Sequence, residues 1–408
     1  MTKSVIVCAL LCGTVNLINA QGAKVLNAYN YMNDNELVKA KAEIEPATTN
    51  EKTMADAKTW YYRGLIYENI YKNSFAENEK TKTPLFPELK DHRKGAVMTS
   101  VESYEKAIDL DSKKINMTEV KQHHAEMSKW CYQEGVNFYN EKDYPEAAKY
   151  FGKCYDIKLN YGQTDTLAAY NAGLSYKLAG DAPNAELFLR KAIDMNYRAE
   201  QGYLDLLHMY SENGNKEKYK ATLTEAREKM PNNKDIIQEE INVYLESKEY
   251  DKALINLDQA IGIDPKNKAL LYARGIILDN QQATLREEGK TDAAKLVEAD
   301  KAYARAESDY KMVIEIAPDD FDGNYSLGAL YYNKGAEMLN DANNILDDAK
   351  YKAAKAKAEK QLTDALPYLE KAHRLKETDI QTMQSLKVIY ARTNQMDKFN
   401  EIKEKLEN

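Results

Sequence analysis

Small and large apolar residues recur at fixed offsets along nearly the whole chain, against a polar background. The pattern is clearest in Asp235–Asn267, where Tyr244, Tyr250, Ala253, Leu257, Ala260 and Pro265 mark the register. The same offsets recover Gly173, Tyr176, Ala185, Leu189 and Ala192 in one register, and Tyr203, Tyr210, Leu223, Ala226 and Pro231 in the register between. The period is about 34 residues. Each period predicts two helices joined by a short turn. The first carries an aromatic, then Gly or Ala, then Tyr; the second carries Ala, a large apolar residue, then Ala. Small residues at the eighth, twentieth and twenty-seventh positions let helix backbones close on one another while bulky ones fill the space between. That packing accounts for Gly64, Gly135, Gly173, Gly275 and Gly328 inside helical pattern, where Gly costs about 1 kcal/mol relative to Ala.

The register divides the chain into an imperfect unit at Gln21–Met54, in which Pro46 shortens or bends the second helix, and a unit over 57–111. A bridge, Ser112–Met127, precedes regular units at 128–161, 166–199, 200–233 and 234–267. Units 268–320 and 321–378 follow, and 380–408 forms an incomplete, charged cap. Three units are overlong by roughly twenty residues between their helices. Ser74–Gly95, with Pro84 and Pro87, predicts a loop; Asp279–Asp300 and Gly335–Gln361 predict helical extensions projecting as antiparallel arms.

The periodic residues resemble the tetratricopeptide repeat. The stretches Lys58-Thr59-Trp60-Tyr61-Tyr62-Arg63-Gly64-Leu65-Ile66-Tyr67 and Ala365-Leu366-Pro367-Tyr368-Leu369-Glu370-Lys371-Ala372 are similar to segments of exported tetratricopeptide proteins common in Bacteroidetes. The resemblance implies an all-α, right-handed superhelical solenoid of about eight antiparallel helix pairs, which binds partners and seldom catalyses. It also implies a groove lined by the first helices. By register, its fifth position holds Tyr61, Tyr132, Tyr170, Tyr272 and Tyr325, with Asn69, Asn140, Asn171, Asn280 and Asn333 on the same side. A Tyr/Asn stripe suits an extended peptide, because Tyr offers area with few rotors and Asn both donates and accepts. The alternative is that many of the 30 Tyr simply pack. The carboxylate-clamp subtype wants Lys at the fifth position and Asn at the ninth. Tyr fills the fifth here and Leu65, Val136, Leu174, His208, Asn242, Ile276 or Ala329 the ninth, which disfavours capture of a C-terminal carboxylate.

Composition narrows the compartment and the ligand class. The chain has 408 residues, 43% hydrophobic and 30% charged, with net charge −8 in mixed clusters, so no basic face advertises nucleic acid. Lys3, the apolar Val5–Leu11 and Ile18-Asn19-Ala20 read as a signal peptide cleaved before Gln21. No later segment is apolar enough to span a bilayer, so the expectation is a protein of the periplasm or cell envelope. Cys131 and Cys154 then remain, at neighbouring ends of one helix pair, and are candidates either for a disulfide or for plain core packing.

Catalytic chemistry is scarce. The five His are His92, His123, His124, His208 and His373; the adjacent His123 and His124 point about 100° apart on a helix, not at one metal. No Cys pair has ligand spacing, no Gly-rich phosphate loop precedes a helix and no nucleophile motif appears. No cofactor, metal or catalytic residue is therefore expected. Lys350, Lys352, Lys355, Lys357 and Lys360 in the last extension suit either an acidic partner or a solvated helix face. The reading is a non-catalytic interaction scaffold holding a protein or peptide in the Tyr/Asn groove. The alternatives are a structural subunit of an envelope or secretion assembly, bound through arms or convex face, and a periplasmic holdase.

Overall fold

The computed structural model describes residues 22–289 and 292–407, so the expected signal peptide lies outside the described residues. Among the described residues eighteen helices follow one another in chain order, α1 being 22–33. In the first half come α2 (Leu37–Ile44), α3 (Ala57–Asn73), α4 (Ala96–Asp109), α5 (Met117–Asn140), α6 (Tyr144–Asn160), α7 (Thr166–Leu178), α8 (Ala182–Asp194) and α9 (Ala199–Glu212). The second half has α10 (Lys216–Lys229), α11 (Lys234–Glu246), α12 (Tyr250–Ile263), α13 (Lys268–Glu288) and α14 (Ala293–Ile316). It ends with α15 (Phe321–Ala342), α16 (Asp348–Leu375), α17 (Ile380–Arg392) and α18 (Met396–Glu407). Among the described residues there is no strand beyond an isolated bridge between Glu77 and Pro84. The chain is an all-α array of helix pairs in two units, divided between Thr222 and Leu223 within α10.

Asp and Asn at the N-caps set where helices start. Asp165 accepts from Ala168 N at 2.9 Å, Asp320 from Gly323 N at 2.8 Å and Asp379 from Thr382 N at 2.8 Å, each satisfying an otherwise orphaned donor. Pro46 stops α2 as anticipated: the helix ends at Ile44 and a short 3-10 turn, Glu45–Thr48, follows. The supposed bridge differs from its expectation. Asn116 caps α5 by accepting from Glu119 N at 3.4 Å, so residues 117–127 extend the first helix of the next pair instead of linking two pairs.

In the first unit the tightest packing joins α3 to α4, α5 to α6 and α7 to α8; in the second it joins α11 to α12, α13 to α14, α15 to α16 and α17 to α18. At each of several crossings a glycine forms a notch for a large side chain of the partner helix. The Tyr104 ring lies over Gly64, Phe151 over Gly135, Leu189 over Gly173, Tyr310 over Gly275 and Leu369 over Gly328. A Cβ on Gly173 would stand 2.8 Å from the backbone nitrogen of Leu189, too close for a side chain to make way by rotating.

The two late insertions lengthen helices, giving α13 21 residues, α14 24, α15 22 and α16 28. The two lengthened pairs are joined to one another. Arg286 of α13 reaches Glu337 of α15 at 3.3 Å, and Gln361 of α16 donates to the Tyr303 hydroxyl of α14 at 3.2 Å. Leu339, Ala358 and Leu362 bury an apolar seam between α15 and α16, with Gly335 as a further notch under Leu362. The first insertion is a loop, closed by a 3-10 turn at Pro87–His92.

Two glycines separate the notch from intrinsic helix propensity. Gly173→Ala is expected to lower stability by about 1–3 kcal/mol through overpacking. Gly262→Ala in α12, where a Cβ meets nothing within 4 Å, should raise it by about 0.5–1 kcal/mol. Urea unfolding midpoints of the two variants against the parent chain measure both.

Candidate partner-binding surface

The tyrosine stripe does not behave as one surface. Tyr61 and Tyr170 are core residues. The Tyr61 ring leans on Tyr104 and His123, with centroids 6.3 Å away in each case. The Tyr170 hydroxyl donates to Asp205 Oδ2 at 3.1 Å, and Arg198 lies 5.3 Å from its ring centroid. Burial first, and then the Asp205 charge, push Tyr170 up to about 12. Tyr132 is half-buried and its hydroxyl accepts from Asn171 Nδ2 at 3.1 Å. Asn69 donates back to the Leu65 carbonyl of its own helix at 2.9 Å.

The second unit leaves more free. Tyr325 stacks on Phe321 at 5.8 Å with a 9° interplanar angle and donates to Gln381 Oε1 at 2.8 Å. Tyr272 is half-buried. Asn280 and Asn333 here, like Asn140 in the first unit, are exposed; among the described residues no hydrogen bond engages their side-chain amides.

What the pattern did not reveal is where several of the tyrosine hydroxyls go. Tyr67 donates to Glu45 at 2.9 Å, Tyr71 to Glu134 at 2.9 Å, Tyr331 to Glu307 at 2.6 Å and Tyr390 to Glu370 at 2.9 Å. Each bond crosses from one helix or turn to another. A hydrogen bond to a charged group contributes about 1.5–3 kcal/mol, so these pairs tie neighbouring helices together. The acidic partners follow no fixed offset from their tyrosines, and for that reason spacing alone could not show them.

A recess of about 850 Å³ opens in the second unit between the α11–α12 turn and α13. Leu245 and Tyr250 line it from the turn side, and Ala273, Ile276 and Ile277 from α13. Tyr250 and Ile276 keep 48% and 37% of their surface exposed, which offers apolar area from two neighbouring elements. Asn280, Gln281 and Thr284 of the lengthened α13 add hydrogen-bonding groups. The 13 residues of α11 end beside a helix of 21, so the insertion supplies the overhanging wall. The recess therefore brings Asn280 together with Ile276, while Asn333, Tyr132 and Asn140 are not among its lining residues.

The lysines of α16 are largely used on their own helix: Lys352 pairs with Asp348 at 2.8 Å, Lys360 with Asp364 at 2.9 Å and Lys355 with Glu359 at 3.9 Å. Among the described residues no helix is long and apolar enough to cross a membrane. Cys131 and Cys154 are free thiols, both buried. Burial pushes the Cys154 thiol up to about 12, helped by the Asp165 carboxylate 3.9 Å away, and burial likewise raises Cys131.

No family model matches the sequence, and no curated protein matches it. Solved structures do resemble the fold. A TPR repeats protein from Bacteroides fragilis is similar at 23% identity over 65% of this chain and 98% of its own, with a TM-score of 0.27. MamA of strain MSR-1 shows 18% identity over 52% of this chain and 97% of its own, with a TM-score of 0.31. The C-terminal part of a TPR repeat-containing protein from Cytophaga hutchinsonii shows 15% identity over 72% and 96%, with a TM-score of 0.40.

The thiol environment yields a direct test. Native protein should react with a thiol reagent such as DTNB at near-zero rate at neutral pH, and both Cys131 and Cys154 should titrate once the chain is unfolded without reductant. Absence of reactive thiol after unfolding would mean that the two are bonded.

Proposed function

We propose that the chain is a non-catalytic scaffold that holds a protein partner against the face formed by the first helices of its pairs, with the α13 recess as the principal contact. The observation that carries this reading is the recess itself. It offers exposed Ile276 and Tyr250 beside the amides of Asn280 and Gln281, the combination that an extended peptide needs for its side chains and backbone. A preformed recess leaves most of the ordering cost on the ligand.

The buried charged groups support a structural role for the chain's ionisable residues. Asp205 is engaged by Tyr170 and by Lys177 at 2.8 Å, and Asp309 receives both Nε and Nη2 of Arg274, at 2.9 and 2.7 Å. Carboxylates held in this way are already committed to cations and hydroxyls of the same fold.

Placement in the cell envelope belongs to the same proposal and rests on residues 1–20 of the sequence. It predicts that protein recovered from its native cells begins at Gln21; an N-terminal peptide that retains Lys3 would overturn export by cleavage.

The binding test uses crosslinked capture from native envelope extract with the tagged mature chain, identified by mass spectrometry, in parallel with Ile276→Glu/Asn280→Ala. Both chains are first shown to melt alike. The leading partner should fall at least about tenfold in the double variant and stay unchanged in Lys350→Ala/Lys357→Ala. Retention in all three would remove the recess from the function and place the contact on another face, as expected of a fixed structural subunit.

A further inference from the structure

One cluster of ionisable groups is unlike the rest, because it gathers an imidazole with two carboxylates. Glu68 projects from α3, and His123 and Glu126 from α5; one ligand atom from each lies within 4.8 Å of the other two. Residues three apart on a helix share a face, so His123 and Glu126 present their donors together toward α3. His123 Nδ1 stands 3.0 Å from Glu68 Oε2. In a tetrahedral zinc site with bonds near 2.0–2.1 Å, neighbouring donor atoms are about 3.3 Å apart, so this edge is already formed.

The three residues differ in the way an accessible site requires. Glu68 is only 2% exposed and its carboxylate is oriented by the Tyr104 hydroxyl. The Tyr104 ring sits in the Gly64 notch and stacks on the His123 ring with centroids 5.8 Å apart. Glu126, by contrast, has a side chain 64% exposed, which gives solvent a way in. The position between the two carboxylates already attracts a cation: Lys72 pairs with Glu68 and lies 3.9 Å from Glu126. Its side chain is 35% exposed and it stands one residue from the end of α3, so the ammonium has room to withdraw into water.

We propose that Glu68, His123 and Glu126 form a binding site for a borderline divalent metal such as Zn²⁺, which enters by displacing the Lys72 ammonium and the proton shared between His123 Nδ1 and Glu68, released to solvent. An imidazole nitrogen with two carboxylate oxygens and one water satisfies the coordination of that class. Calcium and magnesium want more oxygen donors than the cluster offers. Tyr104 serves as the outer-shell donor that aims Glu68. Bound metal would join α3 to α5 and so brace the beginning of the first unit. This site is independent of the α13 recess.

The test is calorimetric titration of Zn²⁺ into the mature full chain at neutral pH, with thermal unfolding in parallel. Four variants accompany it: Glu126→Ala, His123→Ala, Lys72→Met and, as control, His208→Ala. The control removes an exposed helical pair, His208 with Glu212 at 3.2 Å, where zinc binds any protein surface adventitiously. A single equivalent should bind the parent chain and raise its unfolding temperature. Binding should weaken at least about tenfold in Glu126→Ala and His123→Ala, remain unchanged in His208→Ala and tighten in Lys72→Met. Glu126→Ala is the safest reading, since so exposed a side chain is dispensable for folding. No binding by either the parent chain or Lys72→Met would overturn the site. So would binding by Lys72→Met alone, because the natural chain would then be closed to metal, and so would binding lost in His208→Ala but kept in His123→Ala.

Discussion

The close approach of paired helices at glycine notches is the constraint on which the other features depend. With Gly64, Gly135, Gly173, Gly275 and Gly328 facing Tyr104, Phe151, Leu189, Tyr310 and Leu369, each large side chain sinks into its partner helix instead of standing off it. A small residue at a crossing permits helix axes to approach within the usual range of about 8–10 Å with a large side chain seated between them. Close packing of this kind brings side chains on neighbouring helices within hydrogen-bonding distance. The intrinsic penalty of Gly in a helix is small beside the burial of a Tyr or Leu that the notch permits.

Once the helices are this close, tyrosine acquires a second role. Its ring fills the gap between helices while its hydroxyl reaches a carboxylate on another element, as in Tyr71 with Glu134, Tyr170 with Asp205 and Tyr390 with Glu370. A buried carboxylate without a donor would be costly, and Asp205 is stabilised by two, Tyr170 and Lys177. Several tyrosines thus serve as polar fastenings between helices. Asn280 and Gln281, which line the recess, take no part in this fastening.

The array was legible in the sequence through its regular units, where Gly135 with Phe151 and Gly173 with Leu189 stand at the same separation; insertions widen it for Gly64, Gly275 and Gly328, whose local motifs still repeat. Helix extensions were legible too, since Ala349–Gln361 is built of strong helix formers and indeed lies within α16. Three things were not. The start of α5 was hidden because its cap, Asn116 with Glu119 three residues on, stands in a stretch that matched no repeat register. The tyrosine fastenings were hidden because their acids lie at irregular separations. The grouping of Glu68 with His123 and Glu126 was hidden because adjacent His123 and His124 draw attention to each other, whereas they diverge: His124 turns to the Tyr161 hydroxyl at 2.9 Å and His123 to Glu68.

The placement of the recess follows from how the insertion is accommodated. An insertion between paired helices could have left the core unchanged by looping out, as Ser74–Gly95 does with its Pro84 and Pro87. In the α13–α14 pair the added residues keep helical period and are supported from one side by α15 and α16, through Arg286 with Glu337 and Gln361 with Tyr303. Toward α11 there is no matching extension, because that helix ends at Glu246 and turns. One flank of the lengthened helix is thus packed and the other is left facing the turn. Ile276 lies along that open flank, and Asn280, Gln281 and Thr284 continue it into the added turns. An apolar surface created by unequal neighbouring lengths cannot be removed by repacking the repeat core, since the core residues are set by the notches. Specificity can therefore change at the recess, through residues such as Asn280 and Gln281, without disturbing the interactions that hold the array together.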